Sequence, residues 1–263
     1  MASFVFNFRS RILGKQTQIS MILPEGCEIP ENGWKTITLL HGWGENNSAW
    51  MSNTSIERYA QKRQLAVIMP DGGVSFYNDM ADGLAYFSYL TEELPEICNK
   101  YFRTSLRRED NVIGGLSMGG CGALTTGLSR PDLYSGILIL SAANFPADAF
   151  KEQMEHPMFP GWLPSMRRIY GEIFPELRGT KFDAYVMAEN VLKEGKPCPA
   201  IWHYMGLDEA DGMRWSKTMS DFFLGLPGNP FRYRFVTYPG IHNWDSWDAV
   251  VCEGMDYLGL TEK

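Results

Sequence analysis

The chain has 263 residues, 44% of them hydrophobic, enough to bury a sizeable core as a single α/β domain spanning 1–263. A formal net charge of −7 argues against a nucleic-acid surface, and the basic clusters Arg103, Arg107-Arg108 and Arg167-Arg168 are too short to reverse it. Five cysteines (Cys27, Cys98, Cys121, Cys198, Cys252), an odd set with no C-x-x-C pair, indicate neither a disulfide framework nor a zinc site, and no run of about 18 apolar residues offers a membrane span.

The first residues lack a basic segment followed by an apolar one, so the expectation is a cytoplasmic protein. Residues 3–8 alternate in character and 18–23 end at Pro24, so both read as antiparallel strands at a sheet edge. Short apolar runs follow at 36–40, 65–69, 111–113, 136–140, 200–205 and 233–238. Helical stretches at 56–63, 84–101, 119–128, 182–192, 215–224 and 247–258 separate most of them. That alternation predicts an α/β fold with a mostly parallel central sheet and helices on both faces. Within 84–101, Leu84, Phe87, Leu90, Leu94 and Ile97 recur at helical spacing, and Pro95 marks a kink. Residues 144–180 turn rich in Pro, Met and aromatics and read as an irregular insertion, either a cap over a site or a packed loop.

Gly115-Leu116-Ser117-Met118-Gly119-Gly120, between an apolar run and a helix, has the form of a nucleophile elbow. There a serine sits on a cramped strand-to-helix turn, and the helix start aims free N–H groups at the same spot. The bland alternative is a glycine-rich structural turn. A serine hydroxyl needs a base, and His242, in the turn after the 233–238 strand, lies at the sheet edge that Ser117 occupies. His41 and His203 fall on or at the end of strands, where packed imidazoles are expected, and His156 lies in the insertion.

The orienting acid is expected where the 200–205 strand ends, among Asp208, Glu209 and Asp211; Asp183 and Asp245 look like helix N-caps. An oxyanion hole needs two backbone donors. Met118 N–H supplies one, and Trp43 N–H, in His41-Gly42-Trp43-Gly44, is the choice for the other. Trp43, Trp50, Phe76, Tyr77 and Trp244 lie in loops at that edge, with Trp50, Tyr77 and Trp244 taken as substrate-pocket walls.

Leu39-Leu40-His41-Gly42-Trp43-Gly44, the Ser117 elbow and Gly240-Ile241-His242 occur in the order found in the esterase D-like, or putative esterase, family. Asn46-Asn47-Ser48-Ala49-Trp50, Val67-Ile68-Met69-Pro70, Phe76-Tyr77-Asn78-Asp79 and Glu92-Glu93-Leu94-Pro95 extend the likeness over roughly 36–248, and the chain resembles the bacterial tributyrin esterases in particular. The resemblance implies an α/β-hydrolase fold and a serine carboxylesterase that works through an acyl-enzyme, with no metal or cofactor. Its substrates would be short-chain acyl or aryl esters, acetyl or feruloyl carbohydrate esters included. The family usually has Asp three residues after the glycine matching Gly206, where this chain has Glu209; Asp208, the first Asp to leave the strand, is the expected acid, with Glu209 and Asp211 as rivals. S-formylglutathione hydrolysis and acyl transfer are the enzymatic alternatives, and a non-catalytic binding protein is the third. The partner expected is a small-molecule ester, with neither nucleic acid nor membrane; the oligomeric state stays open, a homo-oligomer included.

Overall fold

The computed structural model describes residues 1–262. Strands β1 (Ala2–Arg9) and β2 (Gln16–Leu23) pair antiparallel from Ala2 opposite Leu23 to Arg9 opposite Gln16. They are followed by β3 (Thr36–Leu40), α1 (Ala49–Asn53), α2 (Ile56–Arg63) and β4 (Ala66–Pro70). Next come α3 (Tyr86–Ser88), α4 (Leu94–Phe102), β5 (Asn111–Leu116), α5 (Met118–Ser129) and β6 (Gly136–Leu140). The C-terminal half adds α6 (Phe145–Gln153), α7 (Trp162–Tyr170), α8 (Ala184–Lys193), β7 (Ala200–Gly206), α9 (Ala210–Gly225), β8 (Arg234–Tyr238) and α10 (Trp244–Tyr257).

The strands form one eight-stranded sheet in the order β1-β2-β4-β3-β5-β6-β7-β8. β2 meets β4 antiparallel, and every pair from β4 to β8 is parallel. The N-terminal hairpin therefore supplies the antiparallel edge, as expected. β3, β4, β6 and β7 are buried at every residue, because helices cover both faces, whereas β1 alternates with one face open. The period of two assigns side chains to opposite cores. Leu40, Ile68, Ile137 and Ile139 face one core with α4, α5 and α8, while Ile37, Leu39, Val67, Leu138 and Leu140 face another with α2 and α10.

α3 runs through a π-helical stretch, Tyr89–Glu93, into α4, so the expected single helix is continuous but wider in its middle. Pro95 has no N–H to give and its ring opposes the carbonyl four residues back, and the wide turn before it absorbs that break. The buried Glu93 at the end of this turn accepts hydrogen bonds from Ser10 Oγ, from Arg11 N–H (2.6 Å) and from Ile12 N–H (3.2 Å), fastening the β1–β2 hairpin to the helix.

The segment 144–180 is not irregular: it holds α6, α7 and a short 3₁₀ turn, Gly171–Ile173. Its prolines disguised the helices, because Pro146 and Pro164 occupy first turns, where a missing N–H costs nothing. Phe150 is the hub of this segment, with ring centroids 5.7 Å from Trp162, 5.5 Å from Tyr170 and 5.6 Å from Phe174. The segment is rooted in the body by Asn144, whose side chain accepts from Ala184 N–H (3.0 Å) and donates to Asp183 Oδ1 (2.8 Å). Asp183 caps α8 through Tyr185 N–H, but α10 is capped by Asn243 rather than Asp245, which lies inside the first turn.

Candidate active site

Ser117 stands between β5 and α5 with φ 51° and ψ −121°, a conformation L side chains rarely adopt. The backbone accepts it because the neighbours lack Cβ atoms. A Cβ on Gly119 would lie 2.4 Å from the Leu40 carbonyl oxygen and one on Gly115 2.4 Å from the Gly119 carbonyl oxygen, so both glycines let α5 press onto the β3 loop. Because this strain lives in the serine itself, Ser117→Gly is expected to be more stable than Ser117→Ala by about 1–2 kcal/mol in urea denaturation; the reverse order would show that the turn is relaxed.

At the C-terminal end of β7, Leu207 N–H donates to Tyr238 O (2.9 Å) and Asp208 N–H to Gly240 O (3.1 Å), so this turn lies against the turn that carries His242. His242 Nδ1 donates to Glu209 Oε2 at 2.6 Å. Asp208, the acid expected from sequence, is exposed and is not the partner of His242; Asp211 is exposed in the first turn of α9. Glu209 replaces them because its longer side chain folds back under Gly206, whose N–H it accepts through Oε1 (3.1 Å). Ser141 Oγ also donates to that oxygen (2.6 Å) and accepts from Trp247 Nε1 (2.7 Å). The carboxylate is 7% exposed and carries three donors, and the Trp247 ring meets the His242 ring edge-on at 5.1 Å. A carboxylate only accepts, so Nδ1 bears a proton, and in the neutral imidazole Nε2 is the nitrogen that keeps its lone pair.

Ser141 and Trp247 were not singled out from the sequence. Ser141 follows the last residue of β6 at the same sheet edge as Ser117, the one signal that could have found it.

Ser117, Glu209 and His242 line one cavity of about 740 Å³, together with Gly42, Trp43 and Met118. Among the described residues, no backbone carbonyl accepts from Trp43 or Met118 N–H, and the latter belongs to the first residue of α5, where no intrahelical partner exists. The inner walls are apolar, with Phe76, Phe145, Ala149, Phe159 and Trp162 contributed largely by the α6–α7 segment. Cys121 lies in the wall, but burial pushes its thiol up to about 12, which keeps it neutral.

The aromatic walls expected from sequence divide. Trp43 and Phe76 face the cavity, whereas Trp50, Tyr77 and Trp244 do not line it. Each of these three turns inward because its polar atom finds a partner there: Trp50 Nε1 donates to Leu40 O (3.1 Å), Tyr77 OH to His41 O (3.1 Å) and Trp244 Nε1 to Glu45 Oε1 (2.9 Å). Glu45 Oε2 in turn accepts Gly42 N–H at 2.8 Å, so this carboxylate joins the loop after β3 to the start of α10.

Of the other histidines, His203 is fully buried against Tyr233 OH (2.6 Å), and desolvation pulls it down to about 3, so it stays neutral. His41 is buried and bonded to backbone, and His156 is exposed at the cavity margin. Among the described residues no cluster of His, Cys, Asp and Glu is arranged to hold a metal ion, and no helix is long and apolar enough to cross a membrane.

The chain is 28% identical over 273 residues to an acetyl esterase of Caldicellulosiruptor saccharolyticus, with 98% of each chain covered. Among solved structures it superposes on the fluorophosphonate-binding serine hydrolase FphF of Staphylococcus aureus with a TM-score of 0.84 at 28% identity, covering 99% of both chains. The S-formylglutathione hydrolase FrmB of the same organism gives 0.80 at 29% identity, again over 99% of both. The family described as Putative esterase matches residues 10–255. The sheet order, the covered faces and this match agree with the fold expected: the protein is an α/β hydrolase. The chain belongs to the putative esterase family and is a serine hydrolase of carboxylic esters.

Proposed function

We propose that Ser117, His242 and Glu209 act as nucleophile, general base and orienting acid in the hydrolysis of uncharged short-chain acyl or aryl esters. His242 Nε2 takes the Ser117 proton as Oγ adds to the ester carbonyl, and the imidazolium is stabilised by Glu209. The tetrahedral oxygen is held by the N–H groups of Trp43 and Met118, each worth roughly 3 kcal/mol of barrier. His242 then protonates the departing alcohol, and water repeats the sequence to free the acid from Ser117. The observation carrying this reading is the 2.6 Å contact between His242 Nδ1 and Glu209 Oε2 at the mouth of the cavity that Ser117 lines.

The α6–α7 segment acts as a cap whose aromatic inner face sets the room for the acyl group. Glu45, Glu152 and Asp211 also line the cavity, with Glu152 paired to Arg214 at 2.7 Å, so the approach is acidic on balance. That favours neutral esters over the anionic thioester S-formylglutathione. With 4-nitrophenyl acetate and butyrate, methyl ferulate, an acetylated sugar and S-formylglutathione compared side by side, kcat/KM for the neutral aryl esters is expected to exceed that for the thioester by at least roughly tenfold. A preference for the thioester would replace this reading.

A further inference from the structure

We infer that His41 is a positioning residue for ester hydrolysis: it fixes the plane of the Gly42–Trp43 peptide and so aims the Trp43 N–H at the developing oxyanion, an inference that rests on the reading of Trp43 as an oxyanion donor. The starting point is that one peptide unit carries both groups. The Gly42 carbonyl and the Trp43 N–H lie in one trans amide plane and point in opposite directions. Whatever grips the carbonyl therefore determines where the N–H points.

The His41 ring grips it. Nδ1 lies 2.8 Å from Gly42 O, closer than the 3.4 Å bond that Glu45 N–H gives the same oxygen, and Nε2 accepts the Gly72 N–H at 3.0 Å with Asp71 Oδ1 3.7 Å away. The second bond decides the tautomer. An amide N–H can only donate and Gly42 O can only accept, so the tautomer with the hydrogen on Nδ1 makes both bonds at once, whereas Asp71 Oδ1, at 3.7 Å, is beyond hydrogen-bond reach of Nε2. The ring itself has little freedom: His41 is 1% exposed and packs edge-on against Tyr77 at 5.8 Å, while Tyr77 OH donates to the His41 carbonyl. The neighbouring peptide is held as well, since Gly42 N–H donates to Glu45 Oε2. Gly42 passes close to the residue before Ser117, since a Cβ there would sit 2.9 Å from Leu116 Cδ1 and 3.0 Å from Glu45 Oε2. With its carbonyl turned toward the buried imidazole, the Gly42–Trp43 unit presents its N–H on the opposite side, in a loop that borders the cavity with Ser117 and Met118.

The two ring nitrogens can be tested separately. In His41→Asn the side-chain amide reaches the position of Nδ1 and can still donate to Gly42 O, whereas His41→Gln reaches the position of Nε2 and keeps only the contact to Gly72 N–H. The readouts are kcat and KM on 4-nitrophenyl butyrate, normalised to the folded fraction from circular dichroism, and the inhibition constant of an aryl trifluoromethyl ketone. In the ketone adduct Ser117 Oγ bonds to the carbonyl carbon, the π pair moves onto the oxygen as an oxyanion, and the serine proton passes to His242.

His41→Gln is expected to lower kcat roughly ten- to a hundredfold with KM changed less than about twofold, and to weaken the ketone by the same factor as kcat/KM. His41→Asn is expected to recover most of that loss. Unchanged kcat and ketone affinity in folded His41→Gln would overturn the inference, and so would losses in both variants that merely follow the folded fraction. Ser117→Ala run in parallel separates the two levels: activity surviving there defeats the site assignment itself, whereas its loss beside a fully active His41→Gln defeats only the role of His41.

Discussion

Ser117→Ala is expected to lower turnover of 4-nitrophenyl butyrate by about a million-fold while melting remains cooperative, as befits a nucleophile whose partners act as a unit. Residual catalysis, on the order of a thousandfold over water, would come from the two amide donors and the cavity alone. The measurement is the initial rate together with labelling by a fluorophosphonate, which requires the same hydroxyl. Hydrolysis or labelling persisting in the alanine protein would mean that another group attacks the ester. The candidate nearest to hand is Cys121, and its burial argues against it: a thiol pushed up to about 12 offers almost no thiolate at neutral pH.

Glu209→Gln is expected to cost roughly 10³–10⁴ in kcat, and Asp208→Asn less than about twofold. The reason is tautomeric. A glutamine in the same place can turn its NH₂ toward His242 Nδ1, which then becomes the acceptor; the proton moves to Nε2 and the imidazole can no longer act as a base. The remaining partners of the carboxylate, Ser141 Oγ and Gly206 N–H, converge on its other oxygen, so the amide carbonyl can serve them and the turn is expected to hold. Rates and thermal midpoints of the two variants settle the acid: an Asp208→Asn protein with a large loss beside an active Glu209→Gln protein would reverse the assignment.

The part of this molecule legible from sequence is the part where local chemistry and position coincide. The elbow could be read because Gly115 and Gly119 are needed at fixed offsets from Ser117 and because an apolar strand and a helix flank it. The parallel core strands were visible as continuous apolar runs, a pattern that burial on both faces imposes. The acid was not legible, since three carboxylates share one turn and only the register of Leu207 and Asp208 against Tyr238 and Gly240 decides which one looks inward. On the proposed assignment, one extra methylene lets Glu209 reach His242 Nδ1 from the place where the family resemblance expects an aspartate. The same limit explains the aromatics: membership of a loop says which edge of the sheet a ring occupies, not which way it turns, and the inward partners of Trp50, Tyr77 and Trp244 come from segments far along the chain or from backbone carbonyls. The helices α6 and α7 were hidden by prolines that a first turn tolerates.

Trp43 belongs to two structures at once. Its amide is in the loop after β3, and its ring is wedged into the aromatic cluster of the α6–α7 segment, 5.0 Å from Trp162 and 5.5 Å from Phe159. On the proposed assignment, anything that pries the roof of the chamber outward also tugs on the atom that must meet the negative charge. An oversized guest would then be tolerated at rest and punished at the barrier, so selectivity for guest size would be registered in speed more than in grip.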